Sequence, residues 1–372
     1  VLWFVRVGEF KQTRCTLKEE AMGKVAENEK TGIGGWWRKA REALFTDEPR
    51  FDSLQIEVSS RCPGRCLYCP RALAGIGSGM DMSMAVFSRL TPVFRYAQRV
   101  HLQGWGEPFL NPSFFAMARI AQDAGCRVST TTCGLDMNES RAEAILDAGL
   151  DVVAFSLVGT DEASNRQRRG VPFDQVRQAI ATLAGARQRR GANEPQLHLA
   201  YLLLPENIEA LAGLPRLMEE LGVAAAVVST LDYLPVPALA EQTFVTADRQ
   251  VLDRTAALLA TASEAATQAG CCIYHQFPRP LAGQGGCSEN IGHTLFVAAD
   301  GYVSPCVFTN APGVADDSRR HIFGNVLEQE LLQLWQDPSY VDFRRAVGQK
   351  NPPTPCRYCP KRYHNGPLLN RG

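Results

Sequence analysis

Three cysteines fall within eight residues of the run Arg61-Cys62-Pro63-Gly64-Arg65-Cys66-Leu67-Tyr68-Cys69-Pro70. Their spacing, Cys-x3-Cys-x2-Cys, constrains the chain more than any other feature. They follow Leu54-Gln55-Ile56-Glu57-Val58, an alternation that reads as a strand. A loop leaving a strand end can fold three thiolates around one centre. Iron–sulfur clusters are usually held by four cysteines. A triad leaves one position of a four-iron cube without a protein ligand, and an open position is what catalytic metal sites keep. The competing reading is a zinc knuckle or a set of buried thiols. Zinc prefers paired cysteines with a fourth ligand nearby, and the next Cys or His residues are His101 and Cys126.

The remaining cysteines support metal binding over a disulfide scaffold. Of 12 cysteines in 372 residues, four more stand at 287, 306, 356 and 359. Clustered cysteines without a secretion signal read as metal ligands in a reducing compartment, so a cytoplasmic protein is expected. Val1-Leu2-Trp3-Phe4-Val5 is too short for a signal core and has no basic segment before it. No apolar run approaches the roughly 20 residues of a membrane span. Lys+Arg and Asp+Glu both number 39, a balance that points to no nucleic acid and no acidic membrane as partner.

The length suits two domains, and three segments are expected: 1–50, 51–270 and 271–372. The first is an extension. Gly32-Ile33-Gly34-Gly35 is a flexible break, and Trp36 to Phe45 reads as a short amphipathic helix docked on the main domain. Aromatics beside Arg38, Lys39 and Arg41 leave open a surface for a partner or a membrane face. Cys15 reads as a plain thiol.

From 51 to 270, strand-like runs alternate with helical ones. The strands are expected at 54–58, 100–103, 127–131, 152–156, 197–203 and 223–228. The helices are expected near 83–97, 112–124, 139–148, 173–188, 208–221 and 247–269. Such alternation implies an α/β fold with a parallel sheet. Six units are too few for a closed eight-stranded barrel, and periodicity alone fits a doubly wound sheet equally well. In either fold, site residues collect at the C-terminal ends of strands.

Motifs stand at three such ends. Gly104-Trp105-Gly106-Glu107-Pro108 follows the second strand; its glycines permit close backbone approach, and Glu107 can accept hydrogen bonds from an ammonium. Thr131-Thr132-Cys133-Gly134 follows the third, with Cys133 a small half-buried residue. Ser156-Leu157-Val158-Gly159 and Arg166-Gln167-Arg168-Arg169-Gly170 follow the fourth. A serine hydroxyl and a guanidinium suit a carboxylate, although the arginines also read as a solvated basic loop. Asn207 reads as a helix N-cap, His101 and His198 as core or lining residues, and Cys126 as a buried thiol.

The last segment carries Cys287, a strand at 294–297, the tight turn Asp300-Gly301, and Tyr302-Val303-Ser304-Pro305 leading to Cys306. Helical runs at 331–335 and 340–345 precede Cys356-Arg357-Tyr358-Cys359. Four cysteines can close a cluster fully and would equally make a zinc ribbon. Cys271, Cys272 and His364 are alternative ligands.

The triad closely resembles the signature of the radical S-adenosylmethionine (SAM) superfamily, and the C-terminal run resembles that superfamily's SPASM (or shorter Twitch) domain. The resemblance covers residues 51–361. It implies a partial (β/α)6 TIM-like barrel with a small C-terminal cysteine-rich domain. It implies that Cys62, Cys66 and Cys69 hold a 4Fe-4S cluster whose open iron binds SAM. An electron then cleaves SAM to methionine and a 5'-deoxyadenosyl radical, which abstracts a substrate hydrogen. Tyr68 is expected near the adenine. Trp105, Gly106 and Glu107 match the motif that holds the SAM amino group, with Trp105 in place of its first glycine. Ser156 and Arg169 are expected at the SAM carboxylate or ribose. Cys287, Cys306, Cys356 and Cys359 are expected to hold one auxiliary 4Fe-4S cluster. Cys133 departs from the family's usual Thr-Asn-Gly, which raises a second reading for it, a thiol facing the radical.

The resemblance implies a radical SAM enzyme, assisted by a reducing donor such as flavodoxin or ferredoxin. Its expected substrate is a small molecule or cofactor precursor, because residues 1–50 are too short for a leader-binding winged helix. Three alternatives stay open at this point: a peptide-modifying maturase (oxidation, crosslink or epimerisation), a non-catalytic iron–sulfur electron carrier, and a zinc-binding structural protein.

Overall fold

The computed structural model describes residues 49–73, 79–231, 237–244, 247–275, 277, 287, 289–312, 320–349, 351–357, 359 and 361. The expected helix at 36–45, Cys15 and His364 lie outside these residues.

Within them the alternation of period two and period 3.6 produces the elements expected of it. The strands are β1 (Ser53–Ile56), β2 (Arg99–Leu102), β3 (Arg127–Thr132), β4 (Val152–Leu157), β5 (Gln196–Leu203), β6 (Ala225–Thr230) and β7 (Cys272–His275). Between them run α1 (Pro70–Leu73), α2 (Met84–Ser88), α3 (Phe114–Asp123), α4 (Glu139–Asp147), α5 (Phe173–Arg189), α6 (Leu214–Glu220) and α7 (Arg249–Gln268). Side-chain caps start several of them. Asn138 accepts from Arg141 N at 2.9 Å before α4, and Asp248 from Val251 N at 2.9 Å before α7.

Two expected helices break where proline removes a donor. The run 83–97 splits into α2 and a 3-10 turn, Thr91–Tyr96, at Pro92. The run 208–221 becomes a 3-10 segment, Pro205–Gly213, followed by α6 with Pro215 in its first turn.

All neighbours from β1 to β7 pair in parallel and in chain order. The order never reverses, so the doubly wound alternative is excluded and the sheet curves as a partial barrel. β7 lies beyond the expected boundary at 270, yet it extends this sheet. One face carries Leu54, Ile56, Leu102, Phe155 and Leu199, which join the helices in the main core. The other carries a smaller cluster of Ala154, Ala225, Val227 and Tyr274.

The C-terminal segment continues the sheet. β8 (Thr294–Val297) pairs in parallel with β1, and β9 (Tyr302–Ser304) and β10 (Gly324–Asn325) follow antiparallel. The whole forms one 10-stranded sheet in the order β10-β9-β8-β1-β2-β3-β4-β5-β6-β7. Gly301, at φ +87°, turns the β8–β9 hairpin as the Asp-Gly pair requires. α8 (Leu331–Gln336) and α9 (Pro338–Val347) then fold back on β1. Trp335 packs edge-on to Phe51 at 4.8 Å between centroids and lies under the Arg344 guanidinium at 3.6 Å. This contact joins the two domains. Trp335→Ala is expected to cost about 3–5 kcal/mol of stability, read as a lowered urea midpoint in anaerobic denaturation.

Candidate active site

The cysteine loop is anchored at both ends by hydrogen bonds remote in sequence. At its root, Ser60 N donates to Met80 O at 2.9 Å, and the Arg61 guanidinium bonds the Asp81 carboxylate and Leu110 O. At its far end, Arg65 N donates to Arg169 O at 2.7 Å and Leu67 N to Gln167 O at 3.0 Å. Between these anchors lie the half-buried Cys62, Cys66 and Cys69. A Cβ on Gly64 would stand 3.4 Å from Cys62 Sγ and 3.7 Å from Cys66 Sγ. Glycine therefore keeps clear the space beside two of the three sulfurs. That cradle, with three thiols and no fourth beside them in sequence, fits a cube with one open corner.

The Gly104–Pro108 turn packs on this root. A Cβ on Gly106 would lie 2.2 Å from Ser59 O, and one on Gly104 would lie 2.5 Å from the Glu57 side chain. The close approach these glycines permit is therefore to the chain itself. Glu107 is buried, and both its oxygens have protein donors. Oε1 accepts from Thr132 Oγ1 at 2.8 Å and Oε2 from Cys133 N at 2.7 Å. Its own N–H donates to Arg61 O at 2.7 Å. Glu107 thus ties the cysteine loop to the end of β3.

Tyr68 is half-buried on the loop, and its hydroxyl accepts from Arg168 Nη1 at 3.2 Å. Burial pushes the phenol well above its usual range. Arg169, expected at the SAM carboxylate or ribose, has an exposed side chain, while its neighbour Arg168 is buried. The reason is backbone geometry: Arg169 uses its carbonyl to hold the loop, and Gly170 at φ +80° turns the chain away. Ser156 stands half-buried near the end of β4. Arg166 pairs with Glu206 at 3.8 Å on the surface, and Asn207 accepts from Leu204 N at 3.2 Å in a cap.

Cys133 is buried beside the triad and donates its S–H to Cys62. That bond is the main influence lowering the Cys62 thiol, against the effect of burial. The same bond, followed by burial, pushes Cys133 upward. His101 and His198 are buried in β2 and β5. Burial lowers them to about 3 and about 4, so both imidazoles are neutral.

The second cysteine set also comes together. Cys287, Cys306, Cys356 and Cys359 line one small cavity with Phe308 and Phe343. Burial pushes Cys306 up to about 11 and Cys359 up to about 12, so metal binding there must displace protons. Glu289 and Lys361 form a buried pair at 3.6 Å on the same cavity. Among the described residues no three acidic, Cys or His side chains converge as they would on one metal ion. Cys271 is buried away from this cavity, against the α7 end.

Comparison with known proteins agrees with this arrangement. Residues 56–217 match the family model of the radical SAM superfamily, and residues 287–360 match the SPASM iron–sulfur cluster-binding domain. The chain belongs to the radical SAM superfamily. It is a radical SAM enzyme with a SPASM domain. Such a core binds a 4Fe-4S cluster and SAM, and such a domain binds auxiliary iron–sulfur clusters. The chain is 25% identical over 302 residues to the tungsten-containing aldehyde ferredoxin oxidoreductase cofactor-modifying protein of Pyrococcus furiosus, covering 78% of this chain and 82% of that protein. It is 26% identical over 318 residues to the PqqA peptide cyclase of Gluconobacter oxydans, covering 83% of each. Streptococcus suis SuiB bound to S-adenosylmethionine shares the fold at a TM-score of 0.60 and 15% identity, over 88% of this chain and 78% of that one.

Sequence reasoning did not single out Glu57, Arg71 or Arg168. Glu57 is 5% exposed and accepts from Trp105 N at 2.7 Å and Ala299 N at 3.3 Å, one donor from each domain. The available signal was a carboxylate inside a buried strand run. Burial pushes this carboxyl from 4.5 up to about 7, partly offset by those two N–H groups.

Two outcomes follow for these residues. Gly106→Ala is expected to displace the loop root and to lower the iron bound per chain by about half, read as a fall of about half in visible absorbance. For Glu57, the folded state holds its proton to higher pH than the unfolded chain. The burial cost is therefore absent below pH 4.5 and complete above about pH 7. Glu57→Gln should gain stability relative to the parent as pH rises through that window, by up to about 3 kcal/mol, read from anaerobic urea titrations.

Proposed function

We propose that Cys62, Cys66 and Cys69 hold the catalytic 4Fe-4S cluster, and that the enzyme abstracts a hydrogen from a small molecule or cofactor precursor. The observation that carries this reading is the loop itself: three thiols, Gly64 clearing the space beside two of them, and hydrogen-bonded anchors at both ends. When bound, the cluster supplies one electron that cleaves SAM to methionine and a 5'-deoxyadenosyl radical.

The chain's own residues bind and orient. The backbone of Trp105 and Gly106 faces the SAM amino group, with Glu107 holding that turn against β3. Tyr68 stands by the adenine. Ser156 and Arg168 serve the carboxylate or ribose, with Arg168 taking the place expected of Arg169. Cys287, Cys306, Cys356 and Cys359 hold one auxiliary 4Fe-4S cluster, suited by full ligation to electron transfer. The protein positions the substrate and excludes water. A cytoplasmic setting and a donor such as flavodoxin or ferredoxin fit this chemistry, and no helix among the described residues is long and apolar enough to cross a membrane.

The cofactor-modifying relative supports the small-molecule reading. A peptide substrate is the second reading, favoured by the PqqA peptide cyclases aligned over most of the chain. An electron carrier would have no use for the SAM-facing turn.

Anaerobic reconstitution is expected to yield about eight irons per chain, as two four-iron clusters. Reduction with SAM should release 5'-deoxyadenosine, lost in the Cys62→Ala, Cys66→Ala and Cys69→Ala variants. About four irons with turnover would remove the auxiliary cluster from the proposal. Iron without SAM cleavage would favour the carrier.

A further inference from the structure

A cleft of about 340 Å3 opens at the seam between the two domains. Its walls include Glu57, Arg71 and Trp105 from the core, and Asp300, Asn310 and Arg320 from the SPASM domain. Arg71 stands two residues after Cys69 and Asn310 four after Cys306, so the cleft runs from one cysteine site toward the other.

Its donors outnumber their partners. Arg71 is 8% exposed, and its Nε donates to Ser60 O at 2.8 Å. Among the described residues no carboxylate lies within ion-pair distance of its guanidinium. Glu57, on the same wall, has spent an oxygen on each domain's N–H. Trp105 Nε1 is buried with no acceptor among the described residues. Arg320 is exposed at the opposite wall, 5.9 Å from the Tyr302 ring. A buried guanidinium that no carboxylate among the described residues pairs with directly, Glu57 acting on it only through space, is costly, and a buried indole N–H without an acceptor adds to that cost. Both costs are relieved by one planar anion, which a guanidinium binds in bidentate fashion.

We propose that this cleft is the subsite for a carboxylate group of the substrate, held by Arg71, Trp105 Nε1 and Arg320. The inference rests on the radical SAM reading above and narrows its substrate to an acid. Asp300 and Asn310 line the same space and accept hydrogen bonds from an amine or amide next to that carboxylate. An amino-acid-like group fills both demands, whether as a free acid or as an acidic residue in a peptide.

The test uses the reconstituted, SAM-loaded full chain and calorimetry. The probes are acetyl-Glu-amide, its neutral isostere acetyl-Gln-amide, and the tripeptide acetyl-Gly-Glu-Gly-amide. The acid is expected to bind at least about tenfold tighter than the amide, as a charge-assisted bidentate contact implies. R71Q should erase that preference while leaving the affinity for SAM unchanged. R320Q, a surface change that cannot be confused with misfolding, should reduce it about threefold. Tighter binding of the tripeptide than of the free acid identifies a peptide as the source; the reverse identifies a small acid. The proposal is overturned if acid and amide bind alike up to roughly 20 mM, or if R320Q leaves the preference intact. It is also overturned if R71Q weakens SAM instead, which would place Arg71 on the SAM carboxylate. SAM cleavage measured without any probe reports separately on the catalytic reading.

Discussion

Glu57 sits where the two domains meet, and its two oxygens are shared between them. One accepts the Trp105 N–H from the turn after β2; the other accepts the Ala299 N–H from the turn after β8. A carboxylate buried this deeply resists ionisation, so its retention at the seam is a cost the fold carries. In return the turn carrying Gly106 and Glu107 is held against β1, and the auxiliary domain is held against the same strand. Glu107 repeats the device one step further in, linking the cysteine loop to Thr132 and Cys133 at the end of β3.

The sheet supplies the rigidity these carboxylates exploit. Without a neighbour, β1 would be an exposed edge of an open barrel, with unpaired backbone groups. β8 removes that edge by adding in parallel, residue for residue from Ser53 against Thr294 to Ile56 against Val297. The SPASM hairpin is therefore part of the same sheet that carries the triad. Asn290 Nδ2 on Asp52 at 2.8 Å and Arg89 Nε on Val326 O at 3.0 Å reinforce the seam. A relative movement of the two cysteine sites would require breaking this ladder.

Much of the site was legible because its chemistry is local. Spacing alone brings Cys62, Cys66 and Cys69 onto one loop, and the Asp300-Gly301 pair turns its hairpin without help from elsewhere. Arg169 shows the opposite case. Three arginines within four residues cannot be told apart by type; which one faces inward depends on Arg169 O bonding Arg65 N across the fold. Likewise Gly104 and Gly106 read correctly as places of close approach, but only the packing reveals that Glu57 and Ser59 are what they approach. The prolines at 92 and 215 are visible in the sequence, and each outweighs the apolar period that would otherwise carry one helix through.

The sequence by itself determined the two cysteine sets, the alternating core and the strand ends where the motifs gather, because periodicity and ligand spacing act over a few residues. Only the tertiary structure decided that β7 and β8 extend the core sheet at both edges. It also decided that Arg168 rather than Arg169 lies inside, and that Arg71, Trp105 and Arg320 surround one cleft. Those outcomes depend on pairing and burial between residues as far apart as Glu57 and Ala299, where no local pattern specifies which partner a strand or a charge will meet.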